Sequence, residues 1–141
     1  MILLDTNVVS EVTRPAPDPD VRAWLDAQAR DALYLSAITV AELRAGVARL
    51  PVGQRRRYLD AILENEVLPL FAGRVRPFDM ECTVAYAALT AKARTAGVAV
   101  ATADGYIAAI ALTNGFQLAT RDTRPFVAAG VEVINPWGQT C

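Results

Sequence analysis

The first seven residues constrain the fold more than any other stretch. Ile2-Leu3-Leu4 is apolar on consecutive positions and ends at once in Asp5-Thr6-Asn7, a carboxylate, a hydroxyl and an amide. An unbroken apolar run, rather than an alternating one, predicts a strand covered on both faces, the pattern of a parallel sheet. In open α/β sheets the ligand crevice lies outside the carboxyl ends of the strands, so Asp5 falls on the edge where ligands bind. This stretch alone supports a plainer reading equally well: Asp is a favoured N-cap, and Asp5 caps the helix that follows.

Composition sets the bounds. The 141 residues are the usual size of one domain, and no boundary, repeat or linker divides 1–141. A hydrophobic content of 53% supplies a core without disulfides. No apolar stretch is long enough to span a bilayer, and no basic leader precedes the first strand, so a soluble cytoplasmic protein is expected. Cys82 and Cys141, the only cysteines, form no metal-type spacing, and no disulfide is expected. There is no histidine. That removes Ser-His and Cys-His nucleophile arrangements and the usual zinc sites. The net charge of −1 gives no global signal for nucleic acid. Nearly all the basic residues are Arg, which suits planar phosphate contacts, although a GC-rich genome explains the excess more simply.

Strands and helices alternate along the chain. Val8 to Val12 reads as a short helix stopped by Pro15, Pro17 and Pro19. Asp20 is expected to cap a second helix whose Val21, Trp24 and Leu25 share a face. Leu33-Tyr34-Leu35 is a strand ending at Ser36. The helix after it runs through Leu50, with Val40, Leu43, Val47 and Leu50 on its buried side. A helix from about Gln54 to Leu68 opens on Arg55-Arg56-Arg57, where a solvated face is a simpler reading than phosphate binding. Val75 to Phe78 is an edge strand, because Pro77 is tolerated there. Asp79 caps a long helix to Ala96 that is closed by Gly97, with small residues Val84, Ala87, Ala88 and Ala91 for close packing. From Ile107 the next helix has no polar residue until Thr113 and should be almost wholly buried; Asn114-Gly115 stops it. Gln117-Leu118-Ala119 and Val131 to Ile134 are the last strands. This order predicts an α/β fold with a mainly parallel sheet.

Four acids stand at special places in that order. Asp5 and Asp122 follow strand ends, Asp104 opens the apolar helix, and Glu42 lies in the helix after the second strand. Each has an ordinary explanation: a cap, a turn residue, a charge favoured by the helix dipole, a solvated Glu. Glu42 has no cation one turn on, only Ala45 and the helix-weakening Gly46. Right-handed crossovers would bring all four to one edge of the sheet. Two such charges about 4–5 Å apart repel by roughly 3–4 kcal/mol at an effective dielectric of 20. Protonation or a cation relieves such a cluster. Oxygen ligands without imidazole or thiolate favour Mg²⁺, with Mn²⁺ as a substitute, and an open acidic metal site suits phosphoryl chemistry.

In order, Leu3-Leu4-Asp5-Thr6-Asn7, Ile38-Thr39-Val40-Ala41-Glu42-Leu43, Asp104 with Ile107 to Ala111, Leu118-Ala119-Thr120-Arg121-Asp122 and Val133-Ile134-Asn135-Pro136-Trp137 form a recognisable set. Across its whole length the sequence resembles the PIN-domain ribonucleases, specifically the toxin halves of VapBC-type toxin–antitoxin pairs, nearest the FitB-like branch. The resemblance implies a three-layer α/β/α sandwich around a parallel sheet of about five strands. It implies an acidic metal site of Asp5, Glu42, Asp104 and Asp122, supported by Thr6, Asn7 and Thr120, with no acid missing. It also implies a homodimer, a single-stranded RNA substrate, and a cognate antitoxin whose tail occludes the site. Arg121 is set apart from these supporting positions, because a side chain that simply faces solvent explains it as well.

On this reading the chain hydrolyses RNA with one or two Mg²⁺ ions, with Asp5 and Asp104 as the first ligands. No His is present to act as general base. The alternative is a catalytically silent PIN scaffold whose acidic cleft is a socket for a basic peptide. A phosphatase on another acid-rich fold fits less well, because Asp5 has no second Asp two residues on. Cleavage of RNA against a small phosphomonoester, with and without Mg²⁺, separates the three.

Overall fold

The computed structural model describes residues 1–138, so Cys141 lies outside the described residues. Five strands form one sheet: β1 (Ile2–Leu4), β2 (Leu33–Ser36), β3 (Val75–Arg76), β4 (Gln117–Ala119) and β5 (Val133–Ile134). Their order is β3-β2-β1-β4-β5, and every pairing is parallel. The N-terminal strand is therefore the central one, with Leu3 level with Tyr34 on one side and Leu118 on the other. Its three residues are all buried, as the unbroken apolar run predicts.

Alternate residues of β1 serve two cores, because strand side chains point to opposite faces. Leu3 packs with Tyr34, Leu118 and the buried sides of α5 (Met80–Thr95), α6 (Thr102–Asn114) and α7 (Thr123–Ala128). Ile2 and Leu4 pack on the other face with Val8 and Val9 of α1 (Thr6–Val12) and Val21 of α2 (Pro19–Asp26). Two further helices, α3 (Ala37–Ala48) and α4 (Gln54–Ile62), complete the α/β/α arrangement. Helix α6 is buried from Ile107 to Ala111 and ends at Gly115, whose φ of 67° is the left-handed cap that glycine favours. Among the described residues no helix is long and apolar enough to cross a membrane.

Several boundaries differ from the sequence reading. Helix α2 is capped by Asp18, whose carboxylate accepts from the N–H groups of Asp20 and Val21 at 2.8 and 3.3 Å. Asp20 lies inside the first turn, because Pro19 is pre-set for the first helical position and moves the start upstream. Helix α3 stops at Ala48 rather than Leu50, and its Val40, Leu43 and Val47 are half-buried. Helix α4 stops at Ile62, but the coil continues as a π turn (Leu63–Val67) and a 3₁₀ turn (Leu68–Phe71). There Glu64 accepts a two-pronged contact from Arg44 of α3 at 2.7 and 3.0 Å. Arg55 and Arg57 are exposed, as a solvated face requires. Asp79 caps α5 through the Cys82 N–H at 3.2 Å, as expected. The packing side of α5 is not the one expected: Val84, Ala87, Ala88 and Ala91 are exposed, and Cys82, Leu89 and Ala93 face inward. Strand β5 is shorter than Val131 to Ile134.

Candidate metal centre

Asp5 leaves the central strand at its carboxyl end, where its N–H donates to the Ala119 carbonyl at 2.9 Å and closes the β1–β4 pairing. Its side chain caps the helix, as the plainer sequence reading asked. Oδ1 caps α1 by accepting from the Thr6 N–H at 2.8 Å. Oδ2 accepts from the Thr120 hydroxyl at 2.8 Å and lies 3.4 Å from the Asn7 amide nitrogen. Only 4% of Asp5 is exposed. Burial raises its pKa above the ordinary value, the Thr120 and Thr6 hydrogen bonds pull it down, and the charges of Glu42 and Asp122 push it up again.

Glu42 stands on the exposed side of α3 and accepts from the Thr6 hydroxyl at 2.6 Å. Thr6 also lies 3.2 Å from the hydroxyl of Thr39, which is fully buried. Thr39 is a supporting residue that the sequence reading did not single out. Its signal was present: Ser36 caps α3 by accepting from the Thr39 N–H at 2.9 Å, the three-residue spacing of an N-cap. Across the pocket, Thr120 accepts from the Asp122 N–H at 3.1 Å, and Asn7 Oδ1 accepts from the Arg121 N–H at 3.4 Å. Thr6, Asn7 and Thr120 thus form a polar scaffold under the acids.

Asp104 lies in the first turn of α6, one turn before the buried Ile107. Gly105 sets this turn close to α5: a Cβ there would sit 2.9 Å from the Tyr86 ring, which is itself packed against Phe78 and Tyr106. The Asp104 pKa is pushed up to about 6, first by burial and then by the charges of Asp5, Asp122 and Glu42. Asp5 and Asp104 both feel the charges of Glu42 and Asp122. None has a cationic partner, since the described ion pairs are Arg14–Glu11, Arg22–Asp26 and Arg44–Glu64.

The donor set fits a hard divalent cation, being oxygen throughout and short of positive charge. The convergence expected from sequence is electrostatic rather than complete. Among the described residues, no three His, Cys, Asp or Glu side chains are grouped closely enough to hold one ion as they stand. Asp104 and Asp122 make no side-chain hydrogen bond among the described residues. Beside Glu42 and Gly46 a cavity of roughly 260 Å³ opens between α1, α3 and α4, lined by Val9, Leu43, Val47 and Leu59.

The family model described as "PIN domain" matches residues 2–131. The plasmid stability protein StbB of Pseudomonas syringae is 64% identical over 137 residues, covering 97% of this chain and 99% of that protein. The VapC ribonuclease Y4jK of Sinorhizobium fredii is 58% identical over 137 residues, with 97% and 98% covered. The crystal structure of FitAcB from Neisseria gonorrhoeae contains a chain 54% identical to this one, with a TM-score of 0.94 and 98% and 99% of the two chains covered. With the family model matched from the first strand to the threshold of the last, and with such identities over nearly the whole length, this chain belongs to the PIN-domain family.

Proposed function

We propose that this chain is a divalent-metal-dependent endoribonuclease, the toxin of a toxin–antitoxin pair, acting in the cytoplasm on single-stranded RNA and silenced by a cognate antitoxin. The observation that carries the reading is the set of four acids, Asp5, Glu42, Asp104 and Asp122, brought within one another's electrostatic reach without a cationic partner among the described residues. Its support is the 58% identity to a protein named as a VapC ribonuclease.

Asp5 and Asp104 would be the first ligands for Mg²⁺ or Mn²⁺, and Glu42 and Asp122 would complete the shell or hold water. A bound divalent cation polarises a phosphodiester and acidifies water. The chain's own part is positioning. Thr120, Thr6 and Asn7 hold Asp5 at one orientation on the sheet edge. Thr6 also ties Glu42 across from α3 to the head of α1. Water is the nucleophile and the 3′-oxygen leaves, so products carry 5′-phosphate and 3′-hydroxyl ends.

The protein acts as a homodimer in this reading. The outward side of α5, with Met80 83% and Val84 73% exposed beside Ala87, Ala88 and Ala91, is apolar surface that a second copy would cover. A basic side chain on the antitoxin neutralises the pocket, an attachment that screens over about 8 Å at physiological ionic strength. The deciding experiment is cleavage of single-stranded RNA by purified protein with Mg²⁺, with EDTA, and with Mn²⁺ added back. Cleavage that stops in EDTA and returns with Mn²⁺ is the expected result. Cyclic 2′,3′-phosphate ends, or cleavage indifferent to EDTA, sink the mechanism.

A further inference from the structure

We propose that Arg121 is an RNA phosphate-binding residue at the rim of the acidic pocket, held ready by Trp137. The proposal deepens the ribonuclease reading above and rests on it. Arg121 stands between Thr120 and Asp122, and its backbone N–H is tied to Asn7 Oδ1. Its side chain is exposed, and its guanidinium carbon lies 5.3 Å from the centroid of the Trp137 ring. Trp137 is in turn held from below. It packs against the core face that contains Ile2, Leu4 and Ala119, and its backbone N–H donates to Asn135 Oδ1 at 3.0 Å.

This guanidinium makes no hydrogen bond or ion pair among the described residues, although Asp122 is its neighbour in sequence. It is therefore not neutralising the pocket. Nor is it loose, because the indole restricts a side chain that otherwise has about 2 kcal/mol of rotamer entropy. A stacked guanidinium uses its face and leaves its in-plane N–H groups available, the fork that matches a phosphate. Other arginines do not combine these properties. Arg55 and Arg57 are exposed with no aromatic support described, and Arg76 stacks on Tyr34 with its Nε buried and unbonded.

The chemistry of the pocket explains why a cation at this rim has work to do. A polyanion approaching four carboxylates is repelled. A strand that places one phosphate over Asp5 and Asp104 must carry its neighbouring phosphates across the rim. A cation aimed outward there binds such a phosphate without quenching the acids. An acidic side chain on a protein partner could use the same fork, and the test separates the two.

Cleavage of a short single-stranded RNA by the full chain is measured over a range of salt concentrations for the parent, Arg121→Ala, Arg121→Lys and Trp137→Phe. Arg121→Ala should raise KM about tenfold and leave kcat within about threefold. Loss of one phosphate contact should also lower the slope of log KM against log salt by about 0.7. Arg121→Lys should keep that slope while losing part of the affinity. Trp137→Phe, checked for an unchanged melting temperature, should raise KM less than Arg121→Ala with the slope kept, since it alters only the support. An active Arg121→Ala enzyme with parental KM and slope overturns the proposal and leaves the ribonuclease reading standing. So does a fall confined to kcat. Parental RNA kinetics with weakened capture of the antitoxin would assign the fork to a protein carboxylate instead. A parent that cleaves no RNA overturns the ribonuclease reading, and this proposal with it.

Discussion

The two halves of the candidate acidic site are built by opposite means. On the β1 side, Asp5 is buried and accepts from Thr6, Thr120 and Asn7, while Glu42 accepts from Thr6. On the side of α6 and α7, Asp104 and Asp122 make no side-chain hydrogen bond among the described residues. Hydrogen bonds to a carboxylate favour its charged form and offset part of the cost of burying it. Asp104 lacks that help and is pushed up to about 6 although it is only partly buried. One half is thus tied by hydrogen bonds, and the other is a pair of carboxylates without any among the described residues.

The sharpest way to break this contrast is Asp104→Asn, which removes one charge and keeps the shape. Activity should fall by roughly 10³-fold, the scale of losing a group that stabilises transition-state charge. If Asp104 were only a favourable charge at a helix start, cleavage would hardly change. The next effect in size is the response to metal. At a hundredfold excess over its dissociation constant, Mg²⁺ should stabilise the parent by about 2.7 kcal/mol and Asp104→Asn far less. Thermal unfolding in EDTA and in Mg²⁺ reads this directly, and equal shifts in both proteins would mean that the site lies elsewhere.

Thr120→Val tests the wired half. The Thr120 hydroxyl donates to Asp5 and accepts from the Asp122 N–H inside a fully buried site. Its removal should cost about 1–3 kcal/mol of stability. A chemical denaturation midpoint unchanged from the parent would show that these hydrogen bonds contribute nothing.

The smallest effect is the pH dependence of the metal-free protein. Asp104 has a folded pKa of about 6 against an ordinary 3.8, so the folded state holds its proton more tightly than the unfolded state does. The corresponding stability is present below the unfolded value and is lost as pH rises from about 4 through about 6. Unscreened, the difference would be roughly 3 kcal/mol; partial exposure brings it down to about 1 kcal/mol. Denaturation in EDTA at pH 4 and pH 7.5 should show this loss in the parent and a smaller one in Asp104→Asn. Equal losses in both would remove Asp104 from the repelling set.

Much of this was legible in the chain. The apolar triplet before Asp5, the cap at Asp79 and the stop at Asn114-Gly115 are local signals, and local signals survive folding because they act within one turn or one strand. Helix α5 marks the limit. Both of its sides are apolar or small, one with Cys82, Leu89 and Ala93 and the other with Val84, Ala87, Ala88 and Ala91. Periodicity identifies two such sides but says nothing about which one meets the sheet. Arg121 marks it again, because a cation–π contact with a ring sixteen positions further along the chain leaves no trace in local pattern.

By itself, then, the sequence determined the order of elements and singled out four acids, all oxygen donors, as candidates for the site. Each of these depends on residue type and near-neighbour spacing. Only the tertiary structure decided that β1 is the central strand, flanked by β2 and β4. That placement puts Asp5 against Thr120, 115 positions away, and brings Thr6 to Glu42 across 36. It also raises Asp104 to about 6. Burial and Coulomb repulsion depend on what surrounds a carboxyl in space, and the chain supplies those surroundings from segments that are far apart in sequence.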